Sequence, residues 1–244
     1  FPQFSENLMI IKLIKNIIKS ILSKTNWRLK KKYINNSYTN KKPDLDLLKK
    51  IHECKGIIHM GAHRGTEAAV YDWFHKPVLW LEANPHVIQE LEDHVGQYPN
   101  QKVIHSLLGS TDDIITNFNI SNNDAASSSV FQFGKDLKSK NLKMVKSIKL
   151  KSKKFDTLVK EHSINISNFD LWILDLQGSE LKALDGARDS LDKCNSLLVE
   201  VSKDDQYLNA PRWQDIKKFL YQFNFYPNEE LKDAHSDILF IKRK

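Results

Sequence analysis

Cysteine is scarce in this chain: the 244 residues contain only Cys54 and Cys194, and no Cys-x-x-Cys pair. This argues against a disulfide framework or a cysteine-rich zinc site and favours a reducing, cytoplasmic compartment. The sequence predicts no metal site. Long hydrophobic runs are also missing, because Lys12, Lys15 and Lys19 interrupt the first apolar segment, whereas a bilayer span needs about 20 mostly apolar residues. The same lysines, with no small-residue cleavage site after them, argue against a signal peptide.

Acidic residues are few in the N-terminal part of the chain. Residues 1–55 hold 13 Lys and Arg against 4 Asp and Glu, whereas residues 56–244 hold 24 against 26. A second basic stretch, residues 135–154, contains nine lysines and one acid. Basic segments attract nucleic acid, anionic lipid or anionic substrates, and they also simply keep a protein soluble. The excess charge therefore belongs to an N-terminal extension, and its role stays open.

The sequence predicts two regions: a basic N-terminal helix and linker at 1–43, and an α/β domain at 44–244. Residues 6–23 form an amphipathic pattern, with isoleucines at three- and four-residue spacing and lysines on the other side. Such a helix packs on its own domain, mediates self-association, or lies on a membrane surface with its lysines toward the lipid headgroups. Residues 24–43 are polar and are typical of a linker.

From residue 44 onward, short apolar runs alternate with helical patterns, which indicates βαβ units and a parallel sheet. The predicted strands are 56–60, 77–82, 102–105, 169–175 and 196–201. The predicted helices are 44–53, 66–75, 87–95, 153–162, one that follows Gly178, and 212–223.

Residues 106–150 interrupt this alternation. They contain a serine-rich loop at 121–129 between two predicted antiparallel strands, near 113–120 and 144–150. We interpret the segment as an insert that forms a lid over an acceptor-binding site, with a flexible solvated loop as the alternative. The chain ends in two apolar segments, 223–226 and 237–241, joined by a turn.

Two sequence features indicate a nucleotide-type site. Residues 59–65, His-Met-Gly-Ala-His-Arg-Gly, form a glycine turn between a strand and a helix, where the backbone can approach a ligand closely. Glu82 ends the second strand, 17 residues after Gly65, and an acid at that position is placed to bind both hydroxyls of a ribose. The alternative is that Glu82 only favours the start of the helix at Pro85.

A third feature places carboxylates at neighbouring strand ends. Asp175 follows an apolar strand, and Gly178 and Glu180 open the next helix. Glu200 lies near the end of the following strand, so it should face the same cleft as Asp175. A carboxylate there could take a proton from an attacking hydroxyl. Two acids at adjacent strand ends are more than packing requires, which favours a functional role.

With these motifs in order, the chain resembles the FkbM family of methyltransferases across roughly residues 56–241. The matching segments are 58–65, 80–85, 127–129, 155–158 and 174–181. The resemblance implies a Rossmann-like class I methyltransferase fold, with a seven-stranded, mostly parallel sheet whose last strand is antiparallel. It also implies S-adenosylmethionine as the methyl donor and a hydroxyl acceptor, often on a sugar or a small metabolite.

Carried over by position, the resemblance implies roles for individual residues. The methionine part of the cofactor would be surrounded by four residues of the glycine turn, namely Gly61, Ala62, His63 and Gly65. Glu82 would hold the ribose, and Asn84 would lie beside the adenine. Asp175, in the fifth matching segment, would sit near the methyl group. One departure is His59, which stands where this fold commonly has an acid that fixes the amino group of the cofactor. His63 or the neighbouring backbone would take over that contact.

Because the sulfonium is already activated, in-line positioning of the nucleophile supplies much of the rate. The candidate catalytic residues are Asp175, His63 and Glu200, with Asp175 or a histidine assisting deprotonation.

Three other readings stay open. A nicotinamide-dependent oxidoreductase shares the glycine turn but has a full Gly-x-Gly-x-x-Gly pattern, which this chain lacks. An RNA ribose methyltransferase uses residue types such as Asp175, Lys182, Glu200 and Lys203, but no cluster of stacking aromatics accompanies the basic tail, so nucleic acid ranks below a sugar or metabolite. The third is a non-catalytic module whose basic tail binds RNA or membrane.

Overall fold

The computed structural model describes residues 45–243, so the predicted helix at 6–23 and the linker at 24–43 lie outside the described residues. The helices within this range are α1 (Leu45–Glu53), α2 (Ala68–Trp73), α3 (Ile88–Val95), α4 (Lys135–Ser139), α5 (Phe155–Glu161), α6 (Glu180–Asp185) and α7 (Trp213–Tyr221). The strands are β1 (Ile57–Met60), β2 (Val78–Glu82), β3 (Gln101–His105), β4 (Leu107–Leu108), β5 (Ile115–Ser121), β6 (Met144–Lys153), β7 (Leu171–Leu174), β8 (Ser196–Ser202), β9 (Phe225–Pro227) and β10 (His235–Lys242). In this range no helix is long and apolar enough to cross a bilayer.

Seven strands form one sheet in the order β3-β2-β1-β7-β8-β10-β9. Strands β1, β2, β3, β7 and β8 are parallel, and β10 runs antiparallel to β8. This confirms the predicted mostly parallel, seven-stranded sheet with an antiparallel last strand. All the parallel strands end at one edge, so the residues that follow β1, β2 and β7 meet there.

The parallel strands are apolar on both faces because helices cover both sides of the sheet. On one face, Ile57 and Trp80 pack with Ile51 of α1, Tyr71 of α2 and Leu91 of α3. On the other face, side chains of β1, β7 and β8 pack against helices α5, α6 and α7. The strands contribute Ile58, Met60, Trp172 and Val199, and the helices contribute Leu184 and Leu220. Helix α2 is shorter than predicted, because the chain turns at His75, whose φ of 53° is left-handed.

The insert at 106–150 builds a second, three-stranded sheet in the order β4-β6-β5. Strands β5 and β6 pair antiparallel from Ile115↔Lys151 onward, as the sequence predicts. One face of this sheet is apolar and forms a small core of its own, in which Leu107, Phe118 and Ile120 are buried. The insert is therefore an ordered subsheet that carries the serine-rich loop at one end.

Candidate functional site

A cleft lies at the carboxyl ends of β1, β2 and β7, between the main sheet and the insert. It holds about 640 Å³ of space that no protein atom occupies, part of it open to solvent. The main sheet contributes Gly61, His63, Leu81, Glu82, Ala83, Asp175, Leu176, Gln177 and Ser179, and the insert contributes Ser106, Leu107, Leu108, Phe118, Ala125, Ala126 and Ser128. The insert thus borders the same cleft that the glycine turn, Glu82 and Asp175 line.

The glycine turn brings β1 and β7 into very close contact. Gly61 has a φ of 90°, and a Cβ atom on it would lie 1.8 Å from the carbonyl oxygen of Asp175, so only glycine fits. Ala62 is buried in the core on the α1–α3 face, and Gly65 packs against Leu91 of α3. Of the four predicted loop residues, Gly61 and His63 line the cleft, whereas Ala62 and Gly65 shape the turn behind it.

Glu82 is buried at the end of β2 and binds the loops on both sides of it. Its Oε2 accepts a hydrogen bond from the backbone N–H of His63 at 2.7 Å, and its Oε1 accepts one from the N–H of Asn84 at 2.7 Å. Burial raises the pKa of Glu82, and these two donors oppose that rise. A carboxylate offers about four acceptor positions, so Glu82 keeps acceptor capacity for ligand hydroxyls.

Asn84 lies behind Glu82 rather than on the cleft surface. It is 2% exposed, and its Oδ1 accepts a hydrogen bond from the N–H of His86 at 3.0 Å. Its Nδ2 is buried and meets no acceptor among the described residues. A buried donor without a partner costs stability, so the nitrogen is suited to an acceptor that a ligand brings.

His59 points away from the cleft, into the α1–α3 face of the sheet. Its ring stacks on Trp80, with centroids 4.7 Å apart, and its Nδ1 lies 3.1 Å from the hydroxyl of Tyr71. Burial lowers the pKa of His59, which keeps the ring neutral. The side chain therefore does not replace the acid that this position commonly carries.

The serine-rich loop is tied to the glycine turn by Arg64 and His63. Asp124, at the tip of the loop, accepts from Arg64 through both carboxylate oxygens, at 2.8 and 3.1 Å. The carbonyl of Asp124 lies 2.9 Å from Nε2 of His63, and Arg64 also donates to Glu90 of α3. His63 is therefore held against the serine-rich loop, and that loop forms one wall of the cleft.

The acids at the ends of β7 and β8 lie close together, because the side chain of Gln177 contacts both, but Asp175 lines the cleft whereas Glu200 is not among its lining residues. Asp175 opens into the cleft, and the surrounding protein together with the negative charge of Glu200 raises its pKa. Burial raises the pKa of Glu180 to about 8, although its Oε1 accepts hydrogen bonds from the N–H groups of Leu176 and Gly178. A raised pKa makes a carboxylate a stronger proton acceptor, which suits acid–base chemistry.

Three further residues complete this acidic cluster, and the sequence reasoning gave none of them a role. Gln177 donates from its side-chain amide to both Asp175 and Glu200, and Tyr207 donates to the amide oxygen of Gln177. His235 of β10 forms an ion pair with Glu200 at 3.1 Å, which raises the pKa of His235. The position of Gln177 in the Asp-Leu-Gln-Gly segment was a usable signal, whereas Tyr207 and His235 lie in segments with no visible motif.

The two lysines that would belong to an RNA ribose methyltransferase do not line the cleft. The Nζ of Lys182 lies 4.6 Å from the centre of the Phe131 ring, beside a separate cavity that also contains Arg188. Lys203 donates to the carbonyl of Lys232 at 2.6 Å and is exposed. The structure therefore brings Asp175 and Glu200 together without either lysine.

The sequence and the cleft agree with one known family. The profile of the methyltransferase FkbM domain matches residues 59–227, which include the glycine turn, Glu82, the insert, Asp175 and Glu200. The chain belongs to the FkbM methyltransferase family. Membership indicates a methyltransferase with S-adenosylmethionine as the donor.

Solved structures with a similar fold are distant in sequence. An rRNA methylase from Streptococcus thermophilus is 10% identical over 85% of this chain and 100% of that chain, with a TM-score of 0.46. Fibrillarin from Aeropyrum pernix, solved with bound S-adenosylmethionine, is 13% identical over 80% and 72%, with a TM-score of 0.45. A TehB-like methyltransferase from Corynebacterium glutamicum is 11% identical over 81% and 86%, with a TM-score of 0.42. No curated protein matches the chain.

Proposed function

We propose that the protein transfers the methyl group of S-adenosylmethionine to a hydroxyl oxygen of a sugar, glycan or small metabolite. The observation that carries this proposal is Asp175, a carboxylate that lines the cleft beside the carboxylate of Glu200, whose negative charge helps to raise the pKa of Asp175. A hydroxyl loses its proton as it attacks the methyl group, and a raised pKa makes a carboxylate a stronger acceptor for that proton.

The residues of the cleft fit the cofactor. Glu82 has free acceptor positions for the ribose hydroxyls, and the glycine turn at Gly61 and His63 would border the methionine part. Asn84 lies behind Glu82, so an acceptor of the adenine would have to reach past the cleft surface to its buried, unpartnered Nδ2. When bound, the donor supplies an activated methyl group on sulfur. The protein then has to orient the acceptor, exclude water and accept one proton.

Within this proposal, Asp175 accepts the proton, Glu200 keeps the affinity of Asp175 for it high, and His63 binds and positions the lid. The insert at 106–150 borders the open side of the cleft and would select the acceptor. An RNA ribose acceptor is less favoured because Lys182 and Lys203 contact other groups. A hydroxyl on a smaller molecule fits the carboxylate pair without them.

The proposal is tested with methyl-labelled S-adenosylmethionine and separate panels of glycans, hydroxylated metabolites, amines and RNA. We expect label in an alkali-stable methyl ether of a glycan or metabolite. Asp175→Asn should lower the rate by about 10²–10⁴-fold, whereas Asp233→Asn, a change at an exposed acid, should keep it. Label found on amines or RNA alone, or a full rate with Asp175→Asn, would contradict the proposal.

A further inference from the structure

We propose that Gln177 is a positioning residue that holds the carboxylate of Asp175, which lines the cleft, beside the carboxylate of Glu200. The inference rests on the proposed function, because it concerns the group that accepts the proton of the acceptor. Gln177 contributes no proton of its own to the reaction. Its role is to keep Asp175 in one place and to lower the free energy of two adjacent negative charges.

Both polar atoms of the Gln177 side-chain amide form hydrogen bonds. A side-chain amide has two N–H bonds on its nitrogen, and Nε2 of Gln177 donates to Oδ1 of Asp175 and, at 3.0 Å, to Oε2 of Glu200. Ionised carboxylates only accept hydrogen bonds, so the nitrogen of the amide has to face them and the oxygen has to face away. On that opposite side, the hydroxyl of Tyr207 donates to Oε1.

The backbone of Gln177 is held as firmly as its side chain. Its φ of 52° is left-handed, a conformation that a non-glycine residue adopts only where the surroundings stabilise it. The hydroxyl of Ser129 donates to the carbonyl of Gln177 at 2.7 Å, and Glu180 accepts from the N–H of Gly178 just after it. Ser129 belongs to the serine-rich loop, so the lid and the acidic motif meet at this residue.

Without the amide, the two carboxylates would face each other unscreened. Two neighbouring acids cannot both ionise freely, and a hydrogen-bond donor between them favours their charged forms. The groups that bear on the titration of Asp175 are Glu180 on α6, Glu200 on β8, His235 on β10, and Tyr207 in the segment before α7. Of the residues around this cluster, Gln177 alone donates to both Asp175 and Glu200 in the described part of the chain.

The test is a carboxyl-carbon NMR titration of the full chain, labelled at aspartate and glutamate, with Asp175→Asn used for assignment. In Gln177→Met the two donated hydrogen bonds are lost, and we expect the titration midpoint of Asp175 to rise by about one pH unit. Gln177→Glu should raise it as well, because a third carboxylate then joins the cluster. The matched control is Gln89→Met, which removes an exposed amide-to-Asp93 hydrogen bond of 3.0 Å and should leave Asp175 unchanged.

A midpoint of Asp175 in Gln177→Met that equals that of the wild type would overturn the proposal. If Gln177→Met does not fold, Tyr207→Phe replaces it. That change releases the amide oxygen and should give a smaller rise of the Asp175 midpoint, and no rise would count against the proposal in the same way. The titration needs neither donor nor acceptor, so its failure is distinguishable from a failure to transfer methyl groups.

Discussion

Lowering the pH should destabilise the protein through His59, and the size of the effect follows from its burial. The ring is 6% exposed between Trp80 and Tyr71, and burial lowers its pKa although Glu67 opposes the shift. In the unfolded chain the pKa of a histidine is about 6.5. Because the folded protein binds this proton less well, stability is unaffected above that pH and falls below it. At about pH 5.5 the loss is about 1.4 kcal/mol if the folded ring stays neutral.

The assay compares urea unfolding of the wild type and His59→Asn at about pH 7.5 and about pH 5.5. Asparagine keeps an acceptor for the hydroxyl of Tyr71 but does not titrate. The difference between the two proteins cancels the other titrating groups, including His235, whose raised pKa acts in the opposite direction. Between about pH 7.5 and about pH 5.5, we expect the wild type to lose about 1.4 kcal/mol more unfolding free energy than His59→Asn does. An equal difference at both pH values would refute the reasoning.

Two further predictions concern the walls of the cleft. Glu82→Gln replaces one of two accepting oxygens by a donor, so one backbone N–H loses its acceptor. We expect a stability loss of about 1–3 kcal/mol in thermal unfolding. The matched control is Glu92→Gln at an exposed position, which should cause no loss. Asp124→Asn weakens the ion pair to Arg64, which is worth about 0.2–1 kcal/mol because Asp124 is exposed. Dissociation of S-adenosylhomocysteine, followed by stopped flow, should become about 1.5- to 5-fold faster; an unchanged rate would show that the loop is not held by this contact.

The sheet was predictable because its central strands are buried on both faces. Such strands are continuous apolar runs in the sequence, and β1, β7 and β8 each consist mostly of apolar residues; glycines bound β1, and Asp170 and Asp175 bound β7. The placement of Asp175 and Glu200 at one edge follows from parallel strands alone. The face of the sheet to which the His59 side chain points also follows from the alternation of side chains along β1, since Ile58 and Met60 occupy the opposite face.

Other parts of the site depend on contacts between residues that are distant in sequence. Arg64 and Asp124 are 60 positions apart, and no local pattern connects them. His235 reaches Glu200 because β10 pairs antiparallel with β8, in a register that the sequence does not specify. The positions of Ala62 and Gly65 behind the turn depend on the packing of α3 against it, for which the motif alone gives no evidence.

Calorimetric titration of the protein with S-adenosylmethionine, S-adenosylhomocysteine and NAD tests the central claim most directly. Glu82→Gln is measured beside the wild type, at a temperature at which circular dichroism shows both to be folded. We predict binding of the two adenosyl ligands in the micromolar range, no binding of NAD, and weakened binding of both adenosyl ligands by the variant. A folded wild-type protein that binds neither adenosyl ligand, or that binds both as well after Glu82→Gln, would contradict the account.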